Sequence, residues 1–243
     1  MGVMPKALWK KFVNADDRNR IELALNSLLI SSDNKNILID TGLGNVISDK
    51  VNKIYSPSKF ILLDSLAKIG LSRKDIDIVV LTHLHFDHAG GVTSLINDTT
   101  ELTFPNALHI FQKKEWKIAK DPDELNKASY NFEKDLKLLE ESGNYQLING
   151  DYQLTKDVTL ELSGGHSEGM QVVRIESENE LAYYPGDILP MEINRHLAVT
   201  TAFDLNRRDT FNAKKRILKE IKERAGIIFL EHDTKKQFIS FKK

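Results

Sequence analysis

The six residues His83-Leu84-His85-Phe86-Asp87-His88 restrict this chain more than any other feature of its sequence. Three of the seven histidines fall in that window, and the pattern would arise by accident in roughly one chain in two thousand of this composition. A lone histidine is usually a hydrogen-bonded core or surface residue. Three imidazoles and a carboxylate this close together have the spacing of metal ligands. In extended backbone, positions i and i+2 share a side, so His83 and His85 can serve one ion as the chain leaves a strand. Asp87 and His88 follow at a turn into a helix and can serve a second, adjacent ion. The glycines at 90 and 91 let other backbone pass close by.

Composition narrows the chemistry. The chain has no cysteine, which excludes disulfides, zinc fingers and iron-sulfur clusters and leaves imidazole and carboxylate as the metal donors. Lys and Arg total 34 against 35 Asp and Glu. That balance argues against nucleic acid or an anionic membrane as partner and favours a small, nearly neutral substrate. A length of 243 residues with 41% hydrophobic content suits one large domain, so a single domain over residues 1–243 is expected. Lys6, Lys10 and Lys11 are followed by no apolar run of signal-peptide length, and no stretch approaches a membrane span, so a soluble cytoplasmic protein is expected.

Along the chain, the apolar runs 21–30 and 37–39 flank a polar turn and predict a hairpin. Asp40-Thr41-Gly42-Leu43-Gly44 then reads as a tight turn rather than a phosphate loop, because no Lys-Ser/Thr follows. Apolar spacing predicts helices over 58–69, 114–120, 123–141 and 208–224. Strands are predicted at 76–81, 108–111, 145–148, 158–162, 171–175, 181–184 and 227–230. Strand clusters with interspersed helices imply a layered α/β domain.

Beyond the first motif, Leu-Ser-Gly-Gly-His166-Ser-Glu-Gly, Tyr-Tyr-Pro-Gly-Asp187 and Phe-Leu-Glu-His232-Asp follow in order. This ordered set, from Asp40 to His232, resembles the metallo-β-lactamase superfamily. The resemblance implies a four-layer αββα sandwich and a site with two divalent ions, zinc first, with iron, manganese or cobalt also compatible with N and O donors. It puts His83, His85 and His166 on one ion and Asp87, His88 and His232 on the other, with Asp187 bridging. Two such ions can share a hydroxide nucleophile, which Asp87 would orient while returning a proton to the leaving group. Asp40 would accept a hydrogen bond from a ligand imidazole.

The superfamily spans many reactions. His85 stands where redox members carry Glu, and the chain shows neither a flavin domain nor the basic arm of nucleases. His-Leu-His-Phe-Asp-His-Ala-Gly-Gly and Gly-Asp187-Ile-Leu-Pro look most like the N-acyl homoserine lactonase group and the branch holding methyl-parathion-type phosphotriesterases. One departure is Pro190, where acyl homoserine lactonases carry a tyrosine three residues past the bridging aspartate. A lactone or carboxylic ester is the expected substrate. Alternatives are a phosphotriester, a thioester, or a non-catalytic metal-stabilised scaffold. His109 reads as structural. His196 is a candidate catalytic group beside the substrate, and Tyr184 a possible helper. Phe86, Trp116, Leu189, Met191 and Phe203 could line an apolar pocket, although each is also a natural core residue.

Overall fold

The computed structural model describes Gly2 and residues 4–242. The chain divides into two compact units, one formed by residues up to Asn26 and from Gly150 on, the other by Ser27–Asn149. The first opens with a short helix, α1 (Lys6–Trp9).

The Ser27–Asn149 unit begins with β1 (Leu28–Ser32) and β2 (Lys35–Ile39), an antiparallel hairpin. Its turn, Asp33-Asn34, has φ of 52° and 58°, the left-handed pair that suits the twist of a two-residue hairpin and that Asp and Asn tolerate. Next come α2 (Asp49–Tyr55), capped by the Ser48 hydroxyl, and α3 (Leu62–Lys68). β3 (Ile78–Val80) leads to α4 (Phe86–Ala89), and then to a separate hairpin of β4 (Thr93–Ile96) and β5 (Thr99–Leu102). β6 (Leu108–Gln112), α5 (Lys113–Lys120), α6 (Phe132–Asp135), α7 (Lys137–Ser142) and β7 (Tyr145–Ile148) complete the unit.

Its sheet has the order β1-β2-β3-β6-β7, parallel from β2 onward. Ile37-Leu38-Ile39 and Ile78-Val79-Val80 are buried on both faces, as parallel strands covered on two sides must be. Leu38, Val79, Leu81, Phe104, Phe111, Trp116 and Leu139 belong to one core. Each such side chain contributes about 1.5 to 3 kcal/mol by leaving water.

In the other unit, β8 (Tyr152–Gln153), β9 (Val158–Leu162), β10 (Gln171–Ser177), β11 (Glu180–Tyr184), β12 (Ile227–Phe229) and β13 (Phe238–Ser240) form a six-stranded sheet. Its order is β13-β12-β11-β10-β9-β8, with only β11 and β12 parallel. The crossover between those two is α8 (Arg207–Glu223). Ala213, Ile217, Leu218 and Ile221 recur at helical spacing on α8 and share a core with Val172, Leu181, Tyr183 and Ile228. The Asn206 side chain accepts from the N–H of Arg208 and Asp209 at 3.0 and 3.2 Å, a cap worth about 1 kcal/mol.

Two expectations are corrected. The strand read from residue 21 begins only at Leu28, because the N–H groups of Ala24 and Asn26 bond instead to the carbonyls of His232 and Glu231. The helix read over 123–141 is two short helices. Asp123 Oδ1 accepts from the N–H of Leu125 and Asn126 and from the Asn126 amide, a local turn that competes with helix. Sequence periodicity also missed α2, the β4-β5 hairpin and β13. Among the described residues no helix is long and apolar enough to cross a membrane.

Candidate metal centre

In the Ser27–Asn149 unit the site residues sit just past the carboxyl ends of two adjacent parallel strands, where open α/β sheets place ligands. Ile39 and Val80 are register partners; Asp40 follows one, Thr82 and His83 the other. Asp40 is fully buried with φ 55°, a conformation Asp adopts more readily than most residues. Its Oδ1 accepts from the Thr82 N–H and its Oδ2 from the Thr82 hydroxyl, both at 2.7 Å. Oδ2 also lies 3.1 Å from Nδ1 of His88. The imidazole partner expected for Asp40 is therefore His88.

His83 Nε2 and His85 Nδ1 approach to 3.0 Å, and the His83 and His88 ring centroids lie 3.9 Å apart. Thr82 Oγ1 is 3.1 Å from Nδ1 of His83. Asp87 Oδ1 stands 3.9 Å from Nε2 of His88. The chain can fold this tightly because a Cβ on Gly91 would meet the Thr41 carbonyl oxygen at 2.2 Å, so only glycine fits. α5 braces the loop: Glu115 accepts from the Leu84 N–H at 3.2 Å and from the Tyr130 hydroxyl at 2.6 Å. The Tyr130 ring in turn packs edge-on against His85.

In the other unit, Asp187 follows β11 and His232 follows β12, again beyond the carboxyl ends of a parallel pair. Asp187 lies between two imidazoles, with Oδ2 3.1 Å from Nε2 of His166 and Oδ1 2.9 Å from Nε2 of His232. Their second nitrogens are held as well. His166 Nδ1 is 3.1 Å from Asp204 Oδ1, and His232 Nδ1 donates to the Ala24 carbonyl at 2.8 Å. His166 reaches this place because a Cβ on Gly165 (φ 91°) would meet the N and Oγ1 of Thr210 at 2.6 Å. Donor atoms of Asp187, Glu231 and His232 lie within 4.8 Å of one another.

These donors fit divalent metal. Four histidines have Nδ1 against an oxygen acceptor or hydroxyl, which leaves Nε2 for an ion, and carboxylate-backed imidazoles are the usual support for such ligands. Three buried imidazoles packed together would repel if protonated, whereas as neutral donors they suit a cation of zinc type.

Sequence reasoning gave no role to Thr82, Glu115 and Asp204, whose side chains reach the site from positions that no motif spacing reveals. His196 is exposed and lines a cavity of about 360 Å³ with Arg195, Leu218, Lys222 and Phe241, none of them a candidate metal ligand. The Tyr184 hydroxyl is engaged by the Asn26 carbonyl at 2.8 Å. Of the residues read as a possible pocket, Trp116, Leu189 and Met191 are core. Phe86 packs on Tyr55, and Phe203 is exposed. His109 is structural, as expected: burial lowers its pKa to about 4, and Nδ1 donates to the Ala107 and Asn144 carbonyls.

Residues 21–232 match the model of the metallo-β-lactamase superfamily, and the chain belongs to that family. A solved probable metal-dependent hydrolase from Staphylococcus aureus is 30% identical with a TM-score of 0.92, covering 99% of this chain and 86% of that one. A dizinc quorum-quenching lactonase solved with a product is 25% identical with a TM-score of 0.71, covering 89% of this chain and 74% of that one. An N-acyl homoserine lactonase of Bacillus thuringiensis is 28% identical over 182 residues, 72% of this chain and 63% of its own length. One from Bacillus cereus is 27% identical over 173 residues, 66% and 61%. The chain thus spans just over three-fifths of the length of these curated relatives. The family and the α/β fold class expected from the sequence are both borne out.

Proposed function

We propose that the chain is a dinuclear metal-dependent hydrolase acting on lactones or carboxylic esters. The observation that carries the reading is Asp187, one carboxylate held between Nε2 of His166 and Nε2 of His232, the disposition a bridging ligand needs. In this reading His83, His85 and His166 hold one ion, Asp87, His88 and His232 the other, and Asp187 both. The family match spans both compact units, which supports treating residues 1–243 as one functional domain. The donor set suits zinc, and iron, manganese or cobalt could replace it.

When bound, the ions supply electrophilic polarisation of the carbonyl and a water nucleophile ionised near neutral pH. The protein supplies the rest. Asp40, Thr82, Asp204 and the Ala24 carbonyl fix the imidazole tautomers. Asp87, whose side chain is 31% exposed against 12% for Asp187, is the carboxylate placed to take and return a proton. Pro190 offers no side-chain donor to the substrate carbonyl, and its own carbonyl accepts from the His232 N–H at 2.9 Å. Acyl homoserine lactone opening is accordingly modest.

The lactone names of the relatives favour lactones and esters over phosphotriesters and thioesters. Metal-loaded protein assayed on lactones, aryl esters, thioesters and phosphotriesters tests this. Turnover confined to thioesters or phosphotriesters would overturn the substrate class. No turnover at full metal content would leave a metal-stabilised scaffold.

A further inference from the structure

Glu231 immediately precedes the ligand His232, on the bend that follows β12. Neighbouring residues in a strand point to opposite faces, but here the chain turns. The Asn26 N–H holds the Glu231 carbonyl at 3.0 Å, and the His232 N–H bonds to Pro190 at 2.9 Å. Both side chains consequently converge on Asp187: a donor atom of Glu231 lies within 4.8 Å of donor atoms of Asp187 and of His232. The Glu231 residue is 1% exposed.

Two carboxylates so close repel each other when both are ionised, and Glu231, 1% exposed, has given up nearly all of its hydration. A divalent cation between them relieves both costs, and the neighbouring imidazole supplies the donor type such an ion prefers. We propose that Glu231 is an eighth metal donor, on the ion that Asp187 and His232 hold. The inference rests on the dinuclear reading above and sharpens it. A further carboxylate lowers the net positive charge of the site by one unit and moves its donors toward hard oxygen. That change narrows the preference of this position for Zn2+ over Mn2+ or Fe2+.

The test is metal affinity rather than turnover. Wild-type protein and the Glu231→Gln and Asp187→Asn variants are titrated with Mn2+ and Zn2+ against a competing chelator, and their Co2+ absorption spectra are compared. Glu231→Gln keeps the size and removes the charge. It is expected to weaken one of two Mn2+ equivalents by at least about tenfold, to weaken Zn2+ less, and to intensify the Co2+ bands as coordination number falls. Unchanged affinity and spectrum in Glu231→Gln, with loss of metal in Asp187→Asn, would overturn the role of Glu231 and leave the dinuclear reading intact. A wild-type protein that takes up no metal would defeat both. Should the Gln variant fail to fold, a crystal of Mn2+-loaded wild type reads the same contact. A Glu231 oxygen at coordination distance supports the proposal, and one turned away overturns it.

Discussion

Asp204 Oδ1 lies 3.1 Å from Nδ1 of His166, although 38 residues separate the two in sequence. The contact is built from backbone. The N–H groups of Leu205 and Asn206 bond to the carbonyls of His166 and Gly165 at 3.2 and 2.8 Å. Thr201 steadies the carboxylate, its hydroxyl donating to Oδ1 at 2.8 Å and its N–H to Oδ2 at 3.1 Å. From α8, the buried Lys214 ammonium donates to the Val199 carbonyl, upstream in the same loop, at 2.5 Å. Burial lowers its pKa to about 8.

In the dinuclear reading Asp204 orients His166 without itself being a ligand. Asp204→Asn preserves the shape of the loop and removes the charge that holds the imidazole in one tautomer. Metal affinity is expected to fall by roughly 10- to 100-fold, with the melting temperature of the chelated protein nearly unchanged. A large drop in melting temperature at constant affinity would make Asp204 a purely structural residue.

Asp87 carries the proposed proton work. Asp87→Asn should lower turnover by at least about a hundredfold while the protein stays folded. Near-normal turnover with two ions still bound would assign that work elsewhere.

What the sequence disclosed and what it hid follow from how each side chain reaches its place. His83, His85, Asp87 and His88 are neighbours in sequence, so one strand-to-helix turn gathers them and their spacing was readable. His166, Asp187 and His232 come from three separate turns and were placed through the order of motifs. Asp204 meets His166 through loop packing, Thr82 meets Asp40 through sheet register, and Glu115 reaches the His83–His88 turn through the Leu84 N–H and Tyr130, none of which a local pattern encodes. Glu231 was legible as a residue but not as a donor, since the bend that turns it inward is fixed by bonds to residue 26 and, through His232, to residue 190. The β4-β5 hairpin was missed because its strands, Thr93–Ile96 and Thr99–Leu102, are short and half polar, giving no alternation long enough to detect.

Metal removal should be visible in stability. An ion present at a hundred times its dissociation constant stabilises a fold by about 2.7 kcal/mol, or roughly 5 to 10 °C in melting temperature for a chain of this size. Chelation should produce a drop of that order, and titration with zinc should reverse it at two equivalents per chain. Saturation at one equivalent, with no further rise, would remove the second ion.

His196 gives a sharper test of where the substrate lies. It lines a cavity with Leu218, Lys222 and Phe241, none of them a candidate ligand. His196→Ala is therefore expected to change turnover by less than about twofold at constant metal content, within the range of ordinary surface substitutions. A tenfold loss would restore it to the catalytic machinery.

Two buried groups outside the candidate metal centre contribute opposing slopes to the pH dependence of folding. Asp135, on α6, is 2% exposed, and burial pushes its pKa up to about 6 despite the Lys134 ammonium 2.8 Å away. Between about 3.8 and 6 the native state therefore holds more protons here than the unfolded chain, so stability falls as pH rises through that window and stays lower above it. His109 acts in the opposite sense. Its pKa, lowered to about 4, means that the unfolded chain binds the extra proton below about 6.5, so stability falls as pH drops toward 4. The two slopes oppose each other over most of this range. Asp135→Asn removes one of them. It should raise stability near pH 7 by about 1 to 3 kcal/mol, at about 1.4 kcal/mol per pKa unit less the lost ion pair. The gain should fade as pH approaches about 4, leaving only the loss on acidification due to His109. Urea midpoints measured from about pH 4 to 7 would show this convergence. A gain that is the same at both ends, or a loss at neutral pH, would mean that Asp135 is ionised in the fold at no cost.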